Sequence, residues 1–137
     1  MNILYTAIAT ASGREGRSVT NDGKLDVTLA KPVEMGGDGN GTNPEQLFAA
    51  GYAACFASAL QLVAGKKKLD VSDAAVTAEV GIGPNGAGGF GLEVVLRVEL
   101  SDDLSEADGK ELLDATHLVC PYSNATRGNI PVTLVRE

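Results

Sequence analysis

The chain of 137 residues is the size of one domain, long enough to bury about two-thirds of its unfolded surface without a metal or disulfide to hold it. Hydrophobic residues make up 44% and charged residues 21%, which excludes a disordered chain. A net charge of -7 repels phosphate backbones and anionic lipid surfaces, so neither nucleic acid nor a membrane is expected as a partner.

The opening Met1-Asn-Ile-Leu-Tyr-Thr6 has no positively charged leader, and threonines break up its apolar residues. No signal peptide is read there, and a cytoplasmic location is expected. A reducing cytosol argues against a permanent structural disulfide and leaves the N-x-T matches at Asn40 and Asn124 without glycans. Leu4 to Ala11 is strand-like, Leu25 to Leu29 alternates, and Asn21-Asp22-Gly23 between them supplies turn residues for an antiparallel unit.

Asn43 as cap, Pro44 at the first helical position and Gln46 at the third predict a helix that runs to Ala64 before Gly65. It is apolar nearly all round, the mark of a helix buried on most sides. Its length suits a membrane span, but it is rich in Ala and carries Gly51, Ser58 and Gln61, which favours a core helix. Lys66-Lys67-Lys68 suits the negative end of its dipole.

Val76, Ala78, Val80 and Ile82 share one strand face, as do the alternate residues from Phe90 to Leu100. Gly81-Ile-Gly83-Pro-Asn-Gly86 matches a dinucleotide fingerprint, but a strand and not a helix follows it, so Gly83 to Gly89 reads as a hairpin loop. A second helix is predicted from Ser105 to Val119 with Pro121 as its breaker, then a short strand at Ile130, Val132 and Leu134. With no repeat or linker, the expected architecture is one α+β domain over 1–137 built on antiparallel sheet.

His117, three residues before Cys120, invites a zinc site with Cys55, or a Cys-His hydrolase. Zinc lacks a fourth ligand and a C-x-x-C pair, and one histidine does not establish a catalytic dyad. No metal and no cofactor are expected. For Cys55, within an Ala-rich helix, the bland reading is an inert packing residue. Three features oppose it. Arg14 and Arg17 lie in the flexible Ser12-Gly-Arg-Glu-Gly-Arg17 loop, and an arginine beside a thiol favours the thiolate. Glu45 suits the helix dipole, yet a carboxylate also holds an arginine in a fixed fork. Cys120 stands at a helix end before Pro-Tyr-Ser-Asn, where the backbone is free to move as a resolving cysteine requires.

Two segments carry a family resemblance: Asn43-Pro-Glu-Gln-Leu-Phe-Ala-Ala-Gly-Tyr-Ala-Ala-Cys55-Phe, and Cys120-Pro-Tyr-Ser-Asn-Ala-Thr-Arg-Gly-Asn-Ile130. Both resemble the signatures of the organic hydroperoxide resistance (Ohr) proteins of the OsmC-like superfamily, and the likeness extends over essentially the whole chain. Glu15, where an aspartate is common, and a slightly shortened Gly-rich loop before Thr42 are the departures, and neither touches the chemistry.

The resemblance implies an OsmC-like α+β fold, with antiparallel sheets around a buried central helix, in an intertwined homodimer with two interfacial active sites. It implies that Cys55 is the peroxidatic cysteine, Cys120 the resolving one, Arg14 the catalytic arginine and Glu45 its orienting glutamate. The implied activity is reduction of organic hydroperoxides, alkyl or fatty-acid, through a Cys55 sulfenic acid and a Cys55-Cys120 disulfide, as part of oxidative stress resistance. Lipoyl groups of lipoylated proteins are the implied dithiol reductant. Phe48, Tyr52 and Phe56 are the expected lining of an apolar pocket. The alternative is a redox sensor or binding protein that forms the same disulfide without turnover, although no output module accompanies it.

Overall fold

The computed structural model describes residues 1–137, which divide into two compact units, Met1–Leu47 and Phe48–Glu137. The chain is a mixed α+β protein with two three-stranded sheets and one long central helix.

The first unit is a meander of β1 (Ala9–Ala11), β2 (Arg17–Thr20) and β3 (Asp26–Thr28), all antiparallel. The β2–β3 turn sits where Asn21-Asp22-Gly23 predicts it. Gly23 takes a φ of 72°, which a side chain disfavours, and Asp22 accepts from the backbone N–H of Lys24 at 3.0 Å. The expected strand from Leu4 narrows to its last three residues. Ile8 still accepts from the Asn21 N–H at 3.0 Å, but the side chains of Leu4, Tyr5 and Ile8 stand exposed. Arg17 to Thr20, not read as a strand, is the middle one.

The long helix α1 (Pro44–Lys67) starts as its cap residues predict, with Asn43 Oδ1 accepting from the Gln46 N–H at 2.9 Å. It does not stop at Gly65. That glycine faces solvent, where its cost is only about 1 kcal/mol. The helix runs on to Lys67 and ends where Lys68 turns left-handed at φ 57°.

In the second unit, β4 (Ala75–Pro84) and β5 (Phe90–Glu99) pair antiparallel along their whole length, from Ala75 opposite Glu99 to Pro84 opposite Phe90. The Gly-rich stretch between them is a hairpin loop as read: Asn85 Oδ1 accepts from the N–H groups of Ala87 at 2.9 Å and Gly89 at 3.1 Å. After β5 come α2 (Glu106–Val119) and α3 (Pro121–Thr126), and then β6 (Val132–Arg136). The antiparallel pattern has one exception here. β6 pairs with β5 in parallel, Val94 opposite Val132, because two helices carry the chain back to the end of the sheet where β5 began.

α2 is capped by Ser105, whose Oγ accepts from the Asp108 N–H at 3.1 Å. α3 was not foreseen. Cys120, extended at φ -59° and ψ 124°, ends α2 and serves as the residue before α3, so Pro121 both breaks one helix and opens the next.

The core of this unit is the α1 stripe of Tyr52, Phe56, Leu60 and Val63 against Val94, Leu96 and Val98 of β5 and Leu112 and Leu113 of α2. Spacings of three and four residues place the stripe on one helix face, and the alternate residues of β5 meet it. Within a single chain α1 is therefore buried along one side only, and Leu62 on another side is 53% exposed. The helix is long and apolar enough to cross a membrane by length and composition, yet this stripe makes it a core helix of the unit. Arg136 fastens β6 to the start of α2, donating to the carbonyls of Ser101, Leu104 and Ser105 at 2.8, 2.6 and 2.8 Å.

Candidate active site

Cys55 and Cys120 are 65 residues apart in sequence, and the fold of the second unit sets their sulfurs 3.6 Å apart. Both are free thiols. Cys55 points from the fourth turn of α1, and Cys120 occupies the corner between α2 and α3. Their surroundings differ: Cys120 is sealed, at 0% exposure, whereas Cys55 is half-buried. A reagent from solvent reaches Cys55 first.

The backbone N–H of Tyr122, the second residue of α3, hydrogen-bonds Cys55 and favours its thiolate. Burial is the larger influence and pushes the Cys55 thiol up, and Cys120 raises it further, since two neighbouring thiolates repel. Within this unit the Cys55 thiol is thus harder to ionise than a free one.

The corner carrying Cys120 is not the loose segment expected. α3 is held from below by Ser123 and Thr126, both buried, whose hydroxyls meet Tyr52 of α1 at 2.8 and 3.2 Å. Little motion is needed, because a sulfur–sulfur bond of about 2.05 Å requires closing a gap of 3.6 Å by only about 1.5 Å.

An aromatic cluster adjoins the thiols. Phe48, Tyr52 and Tyr122 lie with ring centroids 5.5 to 6.0 Å apart. Tyr52 and Phe56 are fully buried, which corrects the expected pocket lining: they are core, and the partly open rings are Phe48 and Tyr122. Gly51 makes room for Tyr122, since a methyl group there would lie 2.6 Å from the Tyr122 Oη. Tyr122, Ser123 and Thr126 escaped the sequence reading. The signal for them was Cys-Pro, a cap residue followed by a proline suited to a first helical turn.

In the first unit Arg14, on the β1–β2 turn, grips Glu45 of the first turn of α1 through two parallel hydrogen bonds of 2.7 and 3.0 Å. Arg17, three residues on and the other arginine of the loop, pairs instead with Asp26 across the β2–β3 ladder in an exposed contact. Arg14 also lines a cavity of about 390 Å³ with Ser12, Glu15 and Lys31. Glu45 is 13% exposed and Arg14 32%, so the fork is partly shielded.

The Arg14 hydrogen bonds hold the Glu45 carboxyl below its usual range against the opposing effect of burial. A carboxyl depressed on folding stabilises above its unfolded value, near pH 4, and loses that contribution as pH falls through its folded value. Glu45→Gln is therefore expected to lower unfolding free energy at pH 7 by about 1 kcal/mol, small because a third of Arg14 meets water. Urea titrations of the two proteins should converge in acid. A difference that persists unchanged at pH 2 would contradict an ion pair.

His117 is half-buried beside this corner, with Nδ1 2.7 Å from Ser123 Oγ. Burial and the charge of Arg127 push its imidazole toward the neutral form, with Asp114 opposing. Its Nδ1 is engaged by a hydroxyl and not by Cys55, whose sulfur meets Cys120 instead, and no three of the chain's His, Cys, Asp and Glu side chains gather as metal ligands.

Residues 37–135 match the model of the OsmC-like protein family. The organic hydroperoxide resistance protein of Xanthomonas axonopodis pv. citri (strain 306) is 54% identical over 135 residues, spanning 96% of this chain and 94% of that one. Among solved structures, an organic hydroperoxide resistance protein from Elizabethkingia anophelis superposes with a TM-score of 0.94 at 46% identity, covering 100% of this chain and 99% of that one. The organic hydroperoxide resistance protein OhrB of Bacillus subtilis does so with a TM-score of 0.88 at 42% identity, over 98% and 100%. With residues 37–135 matching that family and relatives alike along nearly their full length, the chain belongs to the OsmC-like protein family and, within it, to the organic hydroperoxide resistance proteins.

Proposed function

We propose that the protein is a thiol-dependent peroxidase that reduces organic hydroperoxides to alcohols and so contributes to organic hydroperoxide resistance. The observation that carries this reading is a pair of free thiols 3.6 Å apart, one half-buried and one sealed. Its relatives' names point the same way.

The Cys55 thiolate attacks the distal oxygen of the hydroperoxide. The O–O bond breaks, sulfur gains oxygen as sulfenic acid, and the alkoxide leaves as the alcohol after taking a proton. The Cys120 sulfur then displaces water from the sulfenic acid to form the Cys55-Cys120 disulfide. An external dithiol, in this proposal the dihydrolipoyl group of a lipoylated protein, restores both thiols by exchange.

Arg14 is the cation proposed to offset the burial of Cys55, with Glu45 fixing its guanidinium. A rigid bidentate fork supports this role, since it presents the charge without a conformational search. The working form in this proposal is a cytoplasmic homodimer. The apolar side chains a single chain leaves open, Ile3, Leu4, Tyr5, Leu62 and Phe90 among them, support it.

Mixing the protein with cumene hydroperoxide and dihydrolipoamide tests the reading. Loss of many equivalents of hydroperoxide per chain is the expected result. Consumption that stops at one equivalent would mean a sensor that forms the disulfide without turnover, and the proposal would be withdrawn.

A further inference from the structure

Four side chains of the second unit to which the redox chemistry gives no role form one line of hydrogen bonds. His117 Nδ1 lies 2.7 Å from Ser123 Oγ, Ser123 Oγ 2.8 Å from Tyr52 Oη, and Tyr52 Oη 3.2 Å from Thr126 Oγ1. Thr126 Oγ1 in turn donates to the backbone carbonyl of Ser123 at 3.1 Å. Tyr52 and Ser123 have no exposed surface and Thr126 1%, so every proton in the line must be supplied by the line itself.

Each hydroxyl has a single proton, so the direction of one bond sets that of all the others. With the Thr126 proton on the Ser123 carbonyl, the one contact of the line that only Thr126 is able to donate, Thr126 Oγ1 accepts from Tyr52. The Tyr52 proton is thereby used, and Tyr52 Oη accepts from Ser123. Ser123 Oγ, having donated, must accept from His117. The imidazole therefore carries its proton on Nδ1 and its lone pair on Nε2.

We propose that His117 is a positioning residue: its Nδ1–H orders the hydroxyl line and so fixes α3, the short helix that Cys120 caps, with its sulfur 3.6 Å from that of Cys55. This rests on the reading of Cys55 and Cys120 as a reacting pair. The ring sits on α2, and Arg127 beyond α3 and Asp114 one turn back on α2 are the charged groups acting on it. Arg127 also donates to the His117 carbonyl at 2.6 Å, tying the same corner from outside. Protonation of Nε2 leaves the line intact, since Nδ1 donates in both the neutral and the charged ring.

His117 is the only histidine in the chain, so one imidazole appears in the spectrum of protein labelled with ¹⁵N-histidine. In the reduced protein at pH 8 the expected neutral tautomer has Nδ1 protonated. In Ser123→Ala, which removes the acceptor, the Nδ1–H preference is expected to disappear. An Nε2–H ring in the unsubstituted protein overturns the proposal, and that measurement needs no variant to fold.

The second arm follows Cys55-Cys120 disulfide formation with diamide, a thiol oxidant that requires no peroxidase activity. His117→Phe should slow it about five- to tenfold, whereas His117→Asn, whose amide N–H replaces Nδ1–H, should stay within about twofold. Equal rates in the two variants overturn the positioning role. Failure of hydroperoxide turnover would sink the peroxidase reading yet leave both of these results standing, so the two ideas fail separately.

Discussion

Cys55→Ser is expected to stop hydroperoxide consumption, lowering the rate with dihydrolipoamide by about 10³-fold or more. The hydroxyl that replaces the thiol keeps the size of the side chain, so the fold around Tyr52 and Phe56 should stand. A serine alkoxide is far harder to form, and neither the Tyr122 N–H nor Arg14 compensates for it. The measurement is loss of cumene hydroperoxide at equal protein concentration. Undiminished loss would transfer the chemistry to Cys120, a group with no exposed surface for a reagent to reach.

The same thiol yields a pH signature. Its second-unit surroundings raise the pKa through burial and through Cys120, and the nucleophile is the deprotonated form, so alkylation of Cys55 accelerates as pH rises through that value. Arg14, in the proposed role, counters the burial. Arg14→Ala should therefore move the midpoint of the alkylation profile to higher pH. A midpoint that stays in place would confine Arg14 to its contact with Glu45.

How far such a site was legible from the residues alone depended on whether each contact is local. The start of α1 was, because Asn43, Pro44 and Gln46 act within one turn. The β2–β3 turn was too, since Gly23 needs no distant partner. The end of α1 was misplaced because Gly65 is only a weak stop. Its cost of about 1 kcal/mol leaves two lysines free to extend the helix with their charges against the dipole. The strand expected from Leu4 shortened for the opposite reason: β-favouring residue types suit a strand, but a strand also requires a neighbour to pair with.

The chemistry was legible in part. Arg14 and Glu45 were singled out, yet spacing did not choose between Arg14 and Arg17. The structure separates them by partner, Glu45 for one and Asp26 for the other. The encounter of Cys55 with Cys120 depends on α1 packing against the α2–α3 corner, a contact across 65 residues that only the family resemblance anticipated. Ser123, Thr126 and Tyr52 look like ordinary polar residues until α3 places two hydroxyls one turn apart beneath a buried phenol.

Cys120→Ser, by contrast with Cys55→Ser, is expected to consume the first equivalent of hydroperoxide at close to the normal rate and then to fail. The half-buried Cys55 still meets the reagent and forms its sulfenic acid. With no thiol 3.6 Å away to condense with it, that acid persists until a second hydroperoxide adds another oxygen and gives the sulfinic acid, which dithiols do not reverse. In the unsubstituted protein the gap to be closed is about 1.5 Å, so condensation should outrun a bimolecular second oxidation at any modest hydroperoxide concentration. Mass spectrometry of the Cys55 peptide after one and after ten equivalents would follow this: one added oxygen, then two, in the variant, against a disulfide in the unsubstituted protein. A variant inert from the first equivalent would make Cys120 the attacking thiol. One that turned over indefinitely would make it a bystander, and the order of events would then have to be rebuilt around Cys55 and the external dithiol alone.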